Sequence, residues 1–154
     1  MQARMTNPAL LIPEAMQALW ALKAAIIKDQ GVPESTFNLI EQRASQINGC
    51  GVCLDMHTKA ARKAGETEER LSTVAAWREV PYFTDAERAA LALTEAVTQL
   101  SVGTDPIPDH VWNEAARHYD ERGLAAVVLA IANINVWNRL NVAVKQPLGE
   151  WKGD

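Results

Sequence analysis

Residues 43–65 read "RASQINGCGVCLDMHTKAARKAG", and the place where this stretch breaks decides the fold. The Asn48-Gly49 pair suits the end of one helix and the start of another, because glycine takes the left-handed backbone that closes a helix at no steric cost. Beyond it, helix-forming residues run to Gly65, with Lys59, Arg62 and Lys63 near the end where the helix dipole favours cations. Two consecutive helices are therefore predicted. With Asn48 as the cap, both cysteines of the chain, Cys50 and Cys53, fall in the first two turns of the second helix, followed by His57.

The flanking sequence is punctuated for helices almost throughout. "PEAMQALWALKAAIIKDQG" starts at Pro13 and can close at Gly31, and "PESTFNLIEQRASQING" starts at Pro33. Thr67 can cap a short helix carrying Leu71, Val74 and Trp77. "TDAE", Thr84 to Glu87, is a capping-box pattern, and behind it Ala89, Ala90, Leu93, Ala96, Val97 and Leu100 share a face. Pro106 and Pro108 break the chain before "DHVWNEAARHY". The last helix starts near Asp120 and covers "GLAAVVLAIANINVWNRLNVAV", apolar nearly all round in its first half, which marks it as central or shared between subunits. No alternating runs bounded by hairpin turns appear. The expectation is an all-α fold of about seven helices, one domain over residues 1–154, with a CxxC at the start of a central helix.

Composition narrows the function. The 154 residues are 48% apolar and 22% charged, which suits a folded core rather than a disordered chain. A formal net charge of -4 offers no basic field for nucleic acid or acidic lipid, so small-molecule or protein partners are expected. The N-terminus carries no secretory pattern and no apolar segment approaches membrane-spanning length, so the expected setting is the cytoplasm, without membrane partners. A stable structural disulfide is improbable there, and a close cysteine pair calls for a redox, catalytic or metal explanation.

At about 100° per residue, Cys50, Cys53 and His57 lie within roughly a 60° arc of one helix face. A thiol and an imidazole four residues apart stack on that face, so His57 can take the proton of Cys53. Unpaired backbone N–H groups at the helix start favour a thiolate, the form that acts as nucleophile. Cys50 and Cys53 are close enough to form a disulfide after modest local adjustment. The set describes a two-step redox site: Cys53 attacks the distal oxygen of a peroxide to give a sulfenic acid, and Cys50 condenses with it to form the disulfide. An external dithiol must then reduce the pair. His57 serves first as base and then can return a proton to the leaving oxygen. Three other readings stand beside this one. The cysteines can be small buried hydrophobes. With His57 they can be zinc ligands, although structural zinc wants four and no second CxxC or HxxxH exists. A thioredoxin-type dithiol lacks the strands of that fold.

The window "RASQINGCGVCLDMHTKAARKAGETEERL", residues 43–71, carries a Cys-x-x-Cys-x-x-x-His signature and resembles the alkylhydroperoxidase AhpD-like group within the carboxymuconolactone decarboxylase superfamily. The resemblance continues through "AAWREVPYFTDAERAALALTEA", residues 75–96, and "LAIANINVWNRL", residues 129–140. It implies an all-helical homo-oligomer, a trimer or hexamer, with cofactor-free thiol peroxidase activity fed by a dithiol or thiol-protein reductant. It also implies that Cys53 is the peroxidatic cysteine, Cys50 the resolving one and His57 the proton-transfer partner. The chain departs from the group at two positions. Asn38 stands where those proteins carry a glutamate twelve residues before the first cysteine, with Glu41 one turn later as a candidate substitute, and Val52 stands where they carry a further histidine. An amide does not relay a proton as a carboxylate does. A non-catalytic redox sensor or partner-binding oligomer, using the same dithiol as a switch, is the alternative function.

The remaining polar and aromatic groups have structural readings. Trp77, Trp112 and Trp137 are expected in core or interface rather than as pocket walls. His110 and His118 read as surface groups, Arg78 and Glu87 as helix-end contacts, and "KAGETEER" as a solvated turn. Asn133, Asn135, Asn138, Arg139 and Asn141 enter an otherwise apolar helix and need partners there, with a subunit contact preferred over one solvent-exposed face.

Overall fold

A computed structural model of the chain describes residues 2–28, 31–101 and 103–149. Within these, eight α-helices and one 3₁₀ segment follow in order: α1 Pro8–Leu11, α2 Pro13–Ile27, α3 Glu34–Asn48, α4 Gly51–Lys63, α5 Glu68–Thr73, the 3₁₀ segment Val74–Glu79, α6 Asp85–Thr98, α7 Asp109–His118 and α8 Glu121–Val144. No strand occurs among the described residues. The count exceeds the expected seven because Pro8 opens a one-turn helix capped by the Asn7 side chain. The predicted closure at Gly31 does not hold: α2 ends at Ile27, and Gly31 takes positive φ beyond it.

The core lies between α3, α6 and α8. Phe37, Ile40 and Ala44 recur at helical spacing on α3, Ala89, Ala90 and Leu93 on α6, and Val127, Ile131 and Ile134 on α8, and all are buried in one cluster. Phe37, Ile40, Leu93, Val127, Ile131 and Ile134 each contribute about 1.5–3 kcal/mol by leaving water, and each alanine contributes less. A second cluster of Leu39, Val74, Trp77, Phe83 and Leu91 packs beneath the 3₁₀ segment. Three predicted N-caps are made: Thr67 accepts from the Arg70 amide, Asp120 from the Gly123 amide, and Thr84 and Glu87 complete the capping box.

α8 corrects one expectation. By length and composition it qualifies as a membrane span, but 56% of its apolar window is buried inside the fold. Its asparagines meet other helices of the same chain: Asn48 donates to Asn135 and Asn138, both at 2.9 Å, Asn138 donates to the Ser45 hydroxyl at 3.0 Å, and Asn135 donates to Thr98 at 3.1 Å. These amides tie α3, α6 and α8 together and satisfy one another's donors and acceptors, while Asn133 Oδ1 is buried without a hydrogen-bond partner among the described residues.

The junction of α3 and α4 positions the cysteines. Gly49 sits at φ +66, its amide reaches Gln46 O at 3.3 Å, and the Cys50 amide reaches Ser45 O at 3.0 Å. This is the Schellman pattern of a helix closed by a left-handed residue. The cap of α4 is then Cys50, not Asn48, and the Cys50 carbonyl accepts from the Leu54 amide at 3.0 Å. Asn48 remains the last residue of α3 because its side chain is held by α8.

Candidate redox site and its cavity

Cys50 and Cys53 are joined by a disulfide, with S–S 2.03 Å and Cα–Cα 5.3 Å, so the structure shows the oxidised state. A cap position followed by a first helical turn brings the two Cβ atoms to the same side of α4, which the i, i+3 spacing favours. Both residues are almost wholly buried, packed with Val52 and Met56. Asn141 of α8 donates from Nδ2 to Cys53 Sγ at 3.4 Å, and its Oδ1 accepts from Asn7 at 2.7 Å. Asn7 thereby fixes which end of the Asn141 amide meets sulfur.

His57 lies one turn beyond Cys53 but its ring is held from α3: Nδ1 is 3.0 Å from Glu41 Oε2. A carboxylate only accepts, so Nδ1 carries the hydrogen and Nε2 keeps its lone pair. The other carboxylate oxygen, Glu41 Oε1, pairs with the ammonium of Lys23 from α2. Burial, and after it the charge of Lys23, push the His57 pKa down to about 4, leaving the ring neutral at physiological pH. Burial also pushes Lys23 down to about 8, partly opposed by the negative charge of Glu34.

These groups share one cavity. Lys23, Glu41, Cys53 and His57 line it together with Met56, Asn133 and Asn141, and Trp20 and Trp137 form its apolar side. The two indoles are tilted at 48° with ring centroids 5.9 Å apart. Trp20 is half exposed, which places it at the rim. Trp137 therefore walls the cavity, contrary to its expected role as core or interface. Trp77 is buried and donates to Glu95 at 2.9 Å, and Trp112 is exposed.

Asn38 does not join this set. It lines a separate groove between α3 and α4 with Ala61 and Ala64, while Glu41, one turn later, meets His57. The two sulfurs are bonded to each other and His57 is turned to Glu41. Among the described residues no group of three or more His, Cys, Asp and Glu side chains is arranged to hold a metal ion. His118 pairs with Glu114 on the exposed side of α7, and His110 is exposed. Glu87 joins Arg70 as well as its own cap, and Arg78 pairs with Glu95, both structural contacts.

Four groups escaped the sequence reading: Lys23, Trp20, Asn7 and the sulfur contact of Asn141. A signal existed for the first two. Lys23 is the lone cation in "ALWALKAAII", and Trp20 precedes it by three positions on the same helix face.

The fold and the site together define an all-helical dithiol protein, and comparison with known proteins gives its family. The model of the carboxymuconolactone decarboxylase family matches residues 13–96. An uncharacterised Bacillus subtilis protein, YdfG, is 38% identical over 134 residues, covering 87% of this chain and 89% of YdfG. The chain belongs to the carboxymuconolactone decarboxylase family. Within that family it is AhpD-like: the alkyl hydroperoxide reductase AhpD of Methylocella silvestris is 37% identical over 75 residues, which are 49% of this chain and 39% of that protein. The crystal structure of ATU0492 from Agrobacterium tumefaciens, a protein of unknown function named provisionally for antioxidant defence as an AhpD, superposes with TM-score 0.87 and 33% identity. It covers 97% of this chain and 100% of that one.

Proposed function

We propose that the protein is a thiol-dependent hydroperoxide reductase acting on hydrogen peroxide or small organic hydroperoxides, with Cys53 as the attacking thiol, Cys50 as the resolving thiol and His57 as the proton-transfer partner. The observation that carries this reading is that Cys53, bonded to Cys50, shares a cavity with a neutral His57 oriented by Glu41. In the reduced protein, Cys53 gives its proton to His57 Nε2. The Asn141 N–H and the start of α4 stabilise the thiolate left behind. The thiolate attacks the distal peroxide oxygen; the S–O bond forms, the O–O bond breaks, and the departing alkoxide takes up a proton to leave as alcohol. Cys50 then attacks the sulfenic acid sulfur, releasing water and giving the observed disulfide. A dithiol reductant, small or protein-borne, restores the pair by thiol–disulfide exchange and leaves as its own disulfide.

Homo-oligomerisation as a trimer or hexamer, a single domain over residues 1–154 and a reducing cytoplasmic setting belong to the same proposal. Exposed Leu129 and Val136, two turns apart on α8, offer an apolar strip for self-association. The burial of both cysteines favours a second reading, a redox switch that cycles slowly without serving as a peroxidase. Peroxide consumption with excess dithiothreitol separates the two. Multiple turnovers that vanish in Cys53→Ser support the peroxidase; a disulfide that peroxide forms once and dithiothreitol re-reduces too slowly for repeated turnover supports the switch.

A further inference from the structure

Reduction of a hydroperoxide at this cavity requires a proton for the departing oxygen, and the titratable groups lining the cavity can be taken in turn. Glu41 is a carboxylate held between an ammonium and an imidazole N–H, so both of its oxygens are already acceptors. His57, held near 4 by burial and by Lys23, has no resident proton on Nε2 at neutral pH, and any proton it receives from Cys53 is released readily. Lys23 is different. Its side chain lines the same cavity as Cys53 and is about one quarter exposed, its ammonium pairs with the cavity-lining Glu41, and Trp20 on the same face of α2 lines the cavity too. Depressed to about 8, it is protonated at neutral pH and far closer to release than an ordinary lysine. Charged groups reach Lys23 from two sides: Glu41 and Glu34 from α3, and His57 from α4 when protonated. The α8 residues on the cavity wall, Asn133, Ile134, Trp137 and Asn141, carry no charge.

Resting on the peroxidase reading above, we propose that Lys23 is the catalytic acid of this site, donating the proton that the leaving oxygen of the hydroperoxide requires. The step balances. Cys53 thiolate and ROOH form Cys53–SOH and RO⁻; Lys23 Nζ gives RO⁻ its proton and becomes a neutral amine. The proton that Cys53 surrendered to His57 Nε2 leaves to solvent, restoring the neutral Nδ1–H ring, and the partly exposed Lys23 regains its proton from solvent. Two groups in one cavity are thus set apart by their surroundings, His57 to receive and Lys23 to give.

The test follows the leaving group. Full-length protein is reduced, freed of reductant and mixed with tert-butyl hydroperoxide, whose alkoxide must be protonated, or with peracetic acid, whose carboxylate leaving group needs no acid. Dithiol loss is read by quenched alkylation and mass spectrometry. Lys23→Met should lower the ratio of the two rate constants, tert-butyl hydroperoxide over peracetic acid, by about 10²-fold or more at pH 7. Lys23→Arg keeps the charge but holds its proton too tightly, and should not restore that ratio. The wild-type rate with tert-butyl hydroperoxide should fall above about pH 8, and this limb should be missing in Lys23→Met. A Lys23→Met protein that slows both oxidants equally, a full rescue by arginine, or an unchanged alkaline limb each overturns the assignment. If neither oxidant forms the Cys50–Cys53 disulfide in the wild type, it is the peroxidase reading that fails.

Discussion

Glu41 binds His57 Nδ1 at 3.0 Å with one oxygen and the Lys23 ammonium with the other, so a single carboxylate on α3 joins α4 to α2 across the dithiol. The AhpD-like pattern expects its carboxylate at position 38, and here the next turn of the same helix supplies it. Glu41→Gln keeps the shape but loses the charge, and the amide no longer enforces the Nδ1–H tautomer. Peroxide-driven disulfide formation at pH 7 should slow by about 10- to 100-fold, the usual cost of losing such an orienting partner. Stopped-flow mixing of reduced protein with peroxide measures it.

Asn38→Glu should not raise that rate. Position 38 faces the groove with Ala61 and Ala64, so a new carboxylate there would be solvated away from His57. An increase of tenfold in the same assay would show that the groove and the cavity communicate.

Asn141 donates an N–H to Cys53 Sγ, the proposed attacking sulfur, at 3.4 Å. A hydrogen bond to a charged group is worth about 1.5–3 kcal/mol, so Asn141→Ala should lower the thiolate fraction of Cys53 by about tenfold or more. Titrating thiolate absorbance in the reduced protein would show its pKa rising by about one unit or more. Asn7 loses its partner in this variant, so thermal stability should fall as well.

His57 makes stability depend on pH. Its folded pKa of about 4 lies below the ordinary 6.5, so the unfolded chain binds the extra proton first. Stability should be fully present above about pH 6.5 and fall as pH drops toward 4, with no further loss from this group below that. In His57→Gln the slope over this window should flatten, as followed by urea unfolding at successive pH values.

Gly49 carries the turn between α3 and α4 at φ +66, with open space around the position of a Cβ. Gly49→Ala therefore pays only for backbone strain, about 1–2 kcal/mol. Unfolding midpoints should drop accordingly while the Cys50–Cys53 disulfide still forms. A much larger loss would mean that the junction moves.

The all-helical fold was legible in the caps and breakers, because Thr67, Thr84 and Asp120 act within a few residues of themselves. The dithiol was legible for the same reason: Cys50 and Cys53 are local neighbours whatever surrounds them. What lay beyond local pattern was the set of partners. His57 faces Glu41 across two helices, the asparagines of α8 bond to α3 and α6, and Lys23 reaches in from α2. Each depends on how helices rotate about their axes when they pack, and no spacing within one segment encodes that. Trp137 was misjudged for a related reason, since helical periodicity places it on an inward face without saying that the face borders a cavity.

α2 buries a single residue in the core, Ile26, yet it brings both Lys23 and Trp20 to the cavity. Part of the cavity's chemistry therefore sits on a helix that buries only one side chain. The α3, α6 and α8 scaffold can hold a dithiol steady while the sequence of one outer helix drifts, and with it the acid on offer and the shape of the entrance. New reactivity could arise in this family by changing a helix that buries so little of its own surface in the core.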